Sequence, residues 1–340
     1  MSNINALLKA CGNEYATIAE DGIITDAKGD PIDTGSYTVN ALLGGSIFSG
    51  LPANRITALA GEQGVGKTFF AISIAKNFLE RNPEAIVAWI DTESSVDSNM
   101  VKSRVGNADR VLFLPVNTVQ EFQTQTSKIL TEYAAIHVKN PDAQLLCVLD
   151  SMGNLSTTKE VTDIELGSGT KDMTRAQLIK GAFRALTLKL ALNQVPLLFT
   201  NHTYMEIGLF AKKVMGGGSG ALFGSSQIIF LSKSKAKEGT EQVGSIIKMH
   251  TFKGRITKEG SQAETRLFFD RGLDKYYGLT DLAKESGIWP IENKQFVING
   301  KKVWEKTVIA NPDEYFTDDV LQQIDEYAKN KYLYGTTEEV

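Results

Sequence analysis

The chain has 340 residues, 42% of them hydrophobic and 22% charged, a composition that excludes a collagen, a long linker or a mostly disordered protein. Two cysteines, Cys11 and Cys147, and three histidines, His137, His202 and His250, cannot staple a secreted scaffold or complete a thiolate zinc site. The net charge is −4, yet residues 203–258 hold nine basic and three acidic side chains, and from Glu305 onward nine acids face three bases. A basic segment in an acidic chain fits one polyanion-binding face; a solvated lysine-rich region is the plainer alternative.

In chain order, residues 1–10 lack the basic start and apolar core of a signal peptide, and no apolar run approaches the ~18 residues of a membrane span. A soluble, cytoplasmic chain with no membrane partner is expected. Residues 3–20 carry an amphipathic helical pattern (Ile4, Leu7, Leu8, Cys11, Tyr15), and the Gly/Asp/Pro-rich stretch 21–35 reads as a tether. Four apolar runs then end in polar residues. They are 56–60 into Gly61, 85–90 into Asp91 and Glu93, 145–149 into Asp150 and Ser151, and 196–199 into Thr200, Asn201 and His202. Continuous apolar runs of this length are the mark of buried parallel strands.

Helices alternate with them. The stretch 68–81 aligns Ala71, Ile74, Ala75, Phe78 and Leu79 and stops at Asn82-Pro83, and 173–193 aligns Ile179, Ala182, Phe183, Leu186 and Leu190. The alternation predicts an α/β fold with a mostly parallel central sheet. Ligands in such folds sit at the carboxyl ends of the strands. After Ser226 the runs 228–231, 243–249 and 265–269, joined by basic turns, predict a meander extending the sheet. Asn299-Gly300 between 295–298 and 302–304 is a type I′ hairpin signal, and an acidic helix over 317–332 closes a small C-terminal unit.

The sharpest motif is Gly61, Glu62, Gln63, Gly64, Val65, Gly66, Lys67, Thr68, a complete G-x-x-x-x-G-K-T phosphate loop followed by Phe69. Its backbone N–H groups and the N-terminus of helix 68–81 cradle phosphates. Lys67 neutralises them, and the Thr68 hydroxyl is a Mg2+ ligand. Asp150, at the end of an apolar strand, is the second Mg2+ residue, acting through water. Glu93, just past another strand end, is the candidate general base; a solvated turn carboxylate is the competing reading. Cys147 reads as a small buried hydrophobe.

With these residues in place, the chain resembles the RecA-like strand-exchange recombinases, and more closely the phage UvsX-type branch of T-even-like phages and marine cyanophages. The carrying strings are IDTG (32–35), the phosphate loop, WIDTE (89–93), DSMGN (150–154), DMTR (172–175), TNHTY (200–204), VMGGGSG (214–220) and DRGLDKYYG (270–278). The resemblance implies a RecA-like P-loop NTPase core over 36–282. An N-terminal polymerisation helix and linker (1–35) would dock on a neighbouring subunit, and a small acidic α+β unit (283–340) would follow.

It also implies ATP and Mg2+ as cofactors, with Glu93 as catalytic glutamate. Asp97 stands where the family contacts adenine, and Met100 where bacterial members often carry a stacking aromatic. His202, after Asn201, replaces the glutamine that senses the γ-phosphate; a buried structural histidine is the alternative. Two stretches, 159–171 and 203–219, match the DNA loops, the second with Tyr204, Phe210, Lys212, Lys213, Gly216, Gly217 and Gly218. Gln177, Lys180 and Arg184 share a helix face beside the first loop, Arg184 matching a DNA-contact arginine, with plain solvation as the alternative. Lys253 and Arg255, with no acidic partner nearby in sequence, match the cations offered to the neighbouring subunit's ATP.

The function implied is an ATP-dependent DNA recombinase and DNA-dependent ATPase. It would form helical homo-oligomeric filaments on single-stranded DNA and pair them with duplex DNA without sequence preference, in the cytoplasm of an infected host if phage-encoded. Mediator and single-strand-binding proteins are the further partners implied. A ring helicase or translocase on the same core, and a non-catalytic DNA-coating paralogue, are the rivals. The first needs an additional assembly domain for which the chain has little room. The second has no use for Lys67, Thr68, Glu93 and Asp150 together.

Overall fold

The computed structural model describes residues 3–167, 173–206 and 212–335. Phe210, and residues 168–171 of the first expected DNA loop, lie outside the described residues. Helix α1 (Asn3–Cys11) and helix α2 (Tyr37–Gly44) precede strand β1 (Ile56–Gly61), helix α3 (Lys67–Arg81) and strand β2 (Ala85–Asp91). Helix α4 (Ser98–Arg104), strand β3 (Val111–Pro115), helix α5 (Val119–Lys139) and strand β4 (Gln144–Asp150) follow. Next come helices α6 (Thr158–Glu165) and α7 (Arg175–Leu192), strands β5 (Leu197–Met205) and β6 (Lys213–Met215), and helix α8 (Ser219–Gly224).

Strands β7 (Gln227–Glu238), β8 (Glu241–Gly254), β9 (Gln262–Phe268) and β10 (Gly272–Leu273) complete a sheet in the order β10-β9-β8-β7-β1-β5-β4-β2-β3, with β6 paired to β5. From β7 to β3 all neighbours run parallel. The far side is the expected meander, with β7, β8, β9 and β10 antiparallel in turn.

The parallel strands bury both faces. Along β4, Leu146 and Val148 join one apolar cluster with α2 and α3, while Leu145, Cys147 and Leu149 join a second with α5 and α7. Helix α3 stops where Asn82-Pro83 forbids another turn. The Arg110 guanidinium closes its end, donating to the carbonyls of Leu79 (2.8 Å) and Asn82 (2.7 Å). The remaining elements, helix α9 (Leu279–Glu285), strands β11 (Ile291–Glu292), β12 (Gln295–Ile298) and β13 (Lys301–Val303), and helices α10 (Glu305–Ala310), α11 (Pro312–Tyr315) and α12 (Asp318–Tyr332), pack on the α2–α3 face. The β12–β13 turn carries Asn299 at φ +50° and Gly300 at φ +74°, as the type I′ signal requires. Asp325, 2% exposed, joins this part to the sheet layer through Ile47 N (2.8 Å) and Ser46 Oγ (2.5 Å).

Several expectations change. The N-terminal helix ends at Cys11, with Gly12 at φ +60°, rather than reaching residue 20. The tether is fastened along its length, with Asn54 Nδ2 donating to Thr25 O (2.9 Å) and Gln194 Nε2 to Asp26 O (2.9 Å). Ile32 and Leu51 exchange backbone hydrogen bonds at 2.8 Å, and Asp33 pairs with Arg81 at 2.6 Å. Half of the first expected DNA loop is helix α6, whose cap is the Thr157 hydroxyl accepting from Glu160 N at 3.0 Å. Lys233, Lys235 and Lys237 lie on the exposed part of β7, not in a turn. Helix α2 escaped the sequence pattern because it is apolar nearly all round and therefore has no helical stripe.

Candidate nucleotide site and DNA face

The site begins where β1 ends. A Cβ on Gly61 would stand 2.9 Å from both the Leu231 carbonyl oxygen and Val65 Cγ1, so only glycine lets the chain leave the sheet there. Gly66, at φ +101°, caps α3 with no side-chain bond, and the first-turn amides are left free for an anion. Lys67 is 8% exposed. Its ammonium donates to the carbonyls of Gly61 (3.1 Å) and Glu62 (3.0 Å) and lies 3.5 Å from His202 Nδ1. Burial lowers its pKa, and the carboxylates of Glu93 and Asp150 work against that fall.

Strand register assembles the acids. β2 and β4 place Asp91 beside Asp150, and β5, paired Leu149 to Phe199, brings Thr200 alongside. The Thr200 hydroxyl donates to Asp150 Oδ1. Burial pushes the Asp150 carboxyl up; the Thr200 and Thr68 hydroxyls and Lys67 pull it back, and Glu93 adds to the rise. Asp150 is 1% exposed and its Oδ2 has no hydrogen-bond partner among the described residues. A buried, unpartnered carboxylate oxygen next to the Thr68 hydroxyl suits a hydrated Mg2+. No group of three metal-ligating side chains exists among the described residues.

Glu93 stands at the mouth. Its Oε1 accepts from the Ser151 hydroxyl and lies 3.5 Å from His202 Nε2. His202 thus bridges Lys67 and Glu93. A proton on Nε2 suits the arrangement, because Nδ1 faces an ammonium and Nε2 a carboxylate.

From this point β5 leads directly to the second expected DNA loop. Asn201 Nδ2 donates to Gly216 O at 2.8 Å, and Gly216 N to His202 O at 3.0 Å. β5 and β6 pair Thr203 with Met215, Tyr204 with Val214 and Met205 with Lys213. Tyr204 and Met205 are more than half exposed, and Lys212 is exposed at the start of the return strand. Gly217 and Gly218 have a packing reason of their own: a Cβ would come within 2.5 Å of Met152 Cε and 3.1 Å of Ala176 Cβ.

Gln177, Lys180 and Arg184 form an exposed row on α7. Lys180 and Arg184 line a cavity of about 600 Å³ together with Arg55, Phe223 and Arg255. The row and one of the two expected trans cations therefore share a surface.

Lys253 and Arg255 do point the same way, onto the end of α8. Lys253 Nζ donates to Leu222 O (2.6 Å), and Arg255 Nη2 reaches Phe223 O at 3.4 Å. The expectation of no acidic partner nearby is corrected. Glu259 accepts from Gly254 N at 3.4 Å and raises the Lys253 pKa against the lowering by burial and Arg255. Lys253 pairs with Ile228, beside Ala58, whereas the phosphate loop leaves at the level of Leu231. Three residues of strand separate the two by roughly 10 Å, so the pair does not serve its own phosphate loop.

Asp97 caps α4, its Oδ1 accepting from Met100 N at 2.8 Å, and Met100 packs against the α2–α3 cluster. The flat surface beside the loop comes instead from Phe69, with the Arg104 guanidinium 4.7 Å over its ring. Asp91, Ser151 and Thr200 were expected at the ligand-bearing strand ends but given no role, and Arg104 was not foreseen as part of the site. Neither was Lys233, whose ammonium donates to Gly64 O. All are set by strand order and register, which local sequence does not carry.

Comparison with known proteins gives the chain a family. The family profile described as the RecA N-terminal domain matches residues 3–274. The "Recombination and repair protein" of Enterobacteria phage T4 is 28% identical over 275 residues, spanning 81% of this chain and 66% of that protein. "Protein RecA" of Syntrophus aciditrophicus is 24% identical over 88% of this chain and 84% of its own length. "Protein RecA" of Mycoplasmopsis pulmonis is 25% identical over 97% and 94%.

Proposed function

The chain belongs to the RecA family, and on that premise we propose that it is an ATP-dependent DNA recombinase, assembling on single-stranded DNA and exchanging it with a homologous duplex. The observation that carries this reading is the continuity of β5. One strand holds Asn201 and His202 against the phosphate loop and, two residues on, presents Tyr204 at the exposed hairpin. Whatever occupies the loop is thereby mechanically joined to whatever occupies the hairpin. No helix among the described residues is long and apolar enough to cross a membrane, and a cytoplasmic place of action is part of the proposal.

ATP with Mg2+ brings a transferable phosphoryl group whose charge the cation partly neutralises. Gly61 to Thr68 and the first turn of α3 hold its phosphates, and Lys67 supplies the fixed positive charge. Thr68 and, through water, Asp150 hold the cation. Glu93 keeps Oε1 engaged by Ser151 and His202 and takes a proton from water at Oε2. His202 reports the loop's state along β5. Phe69 and Arg104 flank the base, with Asp97 and Met100 at its edge. Lys253 and Arg255 complete the site of a neighbouring copy, so turnover depends on assembly.

Gln177, Lys180, Arg184, Tyr204, Lys212, Lys213 and the glycines 216–218 take DNA by phosphate contact and stacking, which need no base sequence. Residues 1–35 dock between subunits, 36–282 form the ATPase core, and the acidic unit 283–340 screens the DNA face. Mediator and single-strand-binding proteins are the further partners proposed. Strand exchange measured with homologous and heterologous duplexes tests the reading. Exchange is expected only with the homologous one and only with ATP. Unwinding without a homologous partner, or coating without exchange, would overturn it.

A further inference from the structure

Glu62 projects from the phosphate loop, 80% exposed, and its cationic partner comes from elsewhere in the fold. Lys213 Nζ, on the return strand of the second-loop hairpin, lies 3.3 Å from Glu62 Oε1. Some exposed pairs stay within one element or between adjacent strands, as Lys76–Glu80 does in α3 and Lys248–Glu264 between β8 and β9, and others fasten neighbouring elements of the scaffold, as Lys331–Glu285 does between α12 and α9. Glu62–Lys213 instead joins segments 151 residues apart, one at each proposed binding surface. The contact is set by rigid parts. β6 is laddered to β5 at Met205–Lys213, and the phosphate loop is held from its other side by Lys233 on Gly64 O.

We propose that Lys213 is a shared cation: Glu62 holds it when no DNA is present, and a phosphate of single-stranded DNA takes it from Glu62 on binding. The inference rests on the proposed DNA-binding role of the second loop. A carboxylate and a phosphodiester are both singly charged oxygen acceptors. Side by side on one ammonium they repel each other, so occupation by one weakens the other. Glu62 therefore acts as a positioning residue that restrains the hairpin from the nucleotide side. By linkage, DNA loosens the Glu62 contact by the same factor that Glu62 weakens DNA.

A double-mutant cycle tests this with a labelled thymidine oligonucleotide and no nucleotide present. The intact chain, Glu62→Gln, Lys213→Gln and the double variant are compared by fluorescence anisotropy at several salt concentrations. Glu62→Gln is expected to tighten binding roughly two- to fivefold, the range of an exposed ion pair. Lys213→Gln is expected to weaken it and lower the salt slope by about 0.7. In the Lys213→Gln background, Glu62→Gln is expected to change nothing. Equal tightening in both backgrounds means a general charge effect and overturns the sharing; so does weakening by Lys213→Gln with no effect of Glu62→Gln. If the chain binds the oligonucleotide but neither Lys213→Gln nor Lys212→Gln weakens it, the loop reading falls and the sharing falls with it. A chain that binds no oligonucleotide overturns the proposed function as well.

Discussion

Lys67 and Arg255 are both cations beside a strand end and a helix, yet they are held in opposite ways. Lys67 is buried at the tip of the parallel strands, bonded to two carbonyls of its own loop and opposed by Glu93 and Asp150. Arg255 is exposed lower in the sheet, its N–H bonded to Ser226 O five residues before Leu231, roughly 16 Å away by strand rise, and its guanidinium reaches the Phe223 carbonyl. The first surrounding is complete within one chain: charge, counter-charge and hydrogen-bond partners all come from β1, β2, β4 and β5. The second has a cation pair on a helix end, a cavity and an exposed Phe223, 61% accessible; Glu259 acts on Lys253, while Arg255 pairs with no carboxylate among the described residues. On the proposed reading, the first site binds its ligand within one chain, and Arg255 gains its role by meeting another copy.

The sharpest way to break that contrast is Arg255→Ala. It is expected to keep nucleotide binding and lose about 10³-fold in ATP turnover on single-stranded DNA, the scale of a removed arginine finger. Mixing it with Lys67→Ala, which has the opposite defect, should restore activity above the sum of the two alone. No recovery in filaments shown by electron microscopy to contain both variants would make Arg255 a residue of its own subunit.

Next in size is Glu93→Gln, expected to lower turnover roughly 10²-fold while leaving nucleotide affinity near that of the intact chain. A parallel loss of affinity would move Glu93 from handling water to holding the loop.

The Asp150 carboxyl, raised by burial, gives the nucleotide end a pH dependence of its own. A raised carboxyl takes up its proton more readily in the fold than in the unfolded chain. Protonation on lowering the pH therefore favours the folded state, and ionisation on raising it withdraws that gain. Mg2+-dependent nucleotide affinity runs the other way. It is expected to fall severalfold as pH is lowered through the Asp150 titration, because a neutral carboxyl no longer attracts a hydrated cation. A fluorescent ATP analogue can follow this, and Asp150→Asn should flatten the profile; a sloping profile in that variant assigns the titration to another group.

The smallest effect is the control. Thr118 caps α5 in a reciprocal box with Glu121 (3.1 and 3.0 Å), and neither residue bonds Lys67 or Arg255. Thr118→Ala should cost about 1 kcal/mol in thermal or denaturant unfolding and leave turnover unchanged. If turnover falls with it, loss of stability alone moves the activity and the other variants must be read against that.

What the sequence determined by itself was local. The phosphate loop, the four apolar strands and the polar residues at their ends, helices α3 and α7, the meander and the Asn299-Gly300 turn all depend on neighbours within a few residues, where periodicity and turn chemistry act. Glu93, Asp150, Lys67 and His202 were legible for the same reason, each standing at a strand tip or loop that announces itself. Long-range placement was decided elsewhere. That Thr200 bonds Asp150, that Ser151 and His202 share Glu93, and that Lys213 meets Glu62 all follow from the order β1-β5-β4-β2 and from the β5–β6 ladder. These pairings join segments some 50 to 150 residues apart. Only closure of the sheet fixes such register, since the energy that selects it is burial of both faces of every strand at once. The same closure put Lys253 and Arg255 below their own phosphate loop, a placement no spacing in the chain encodes.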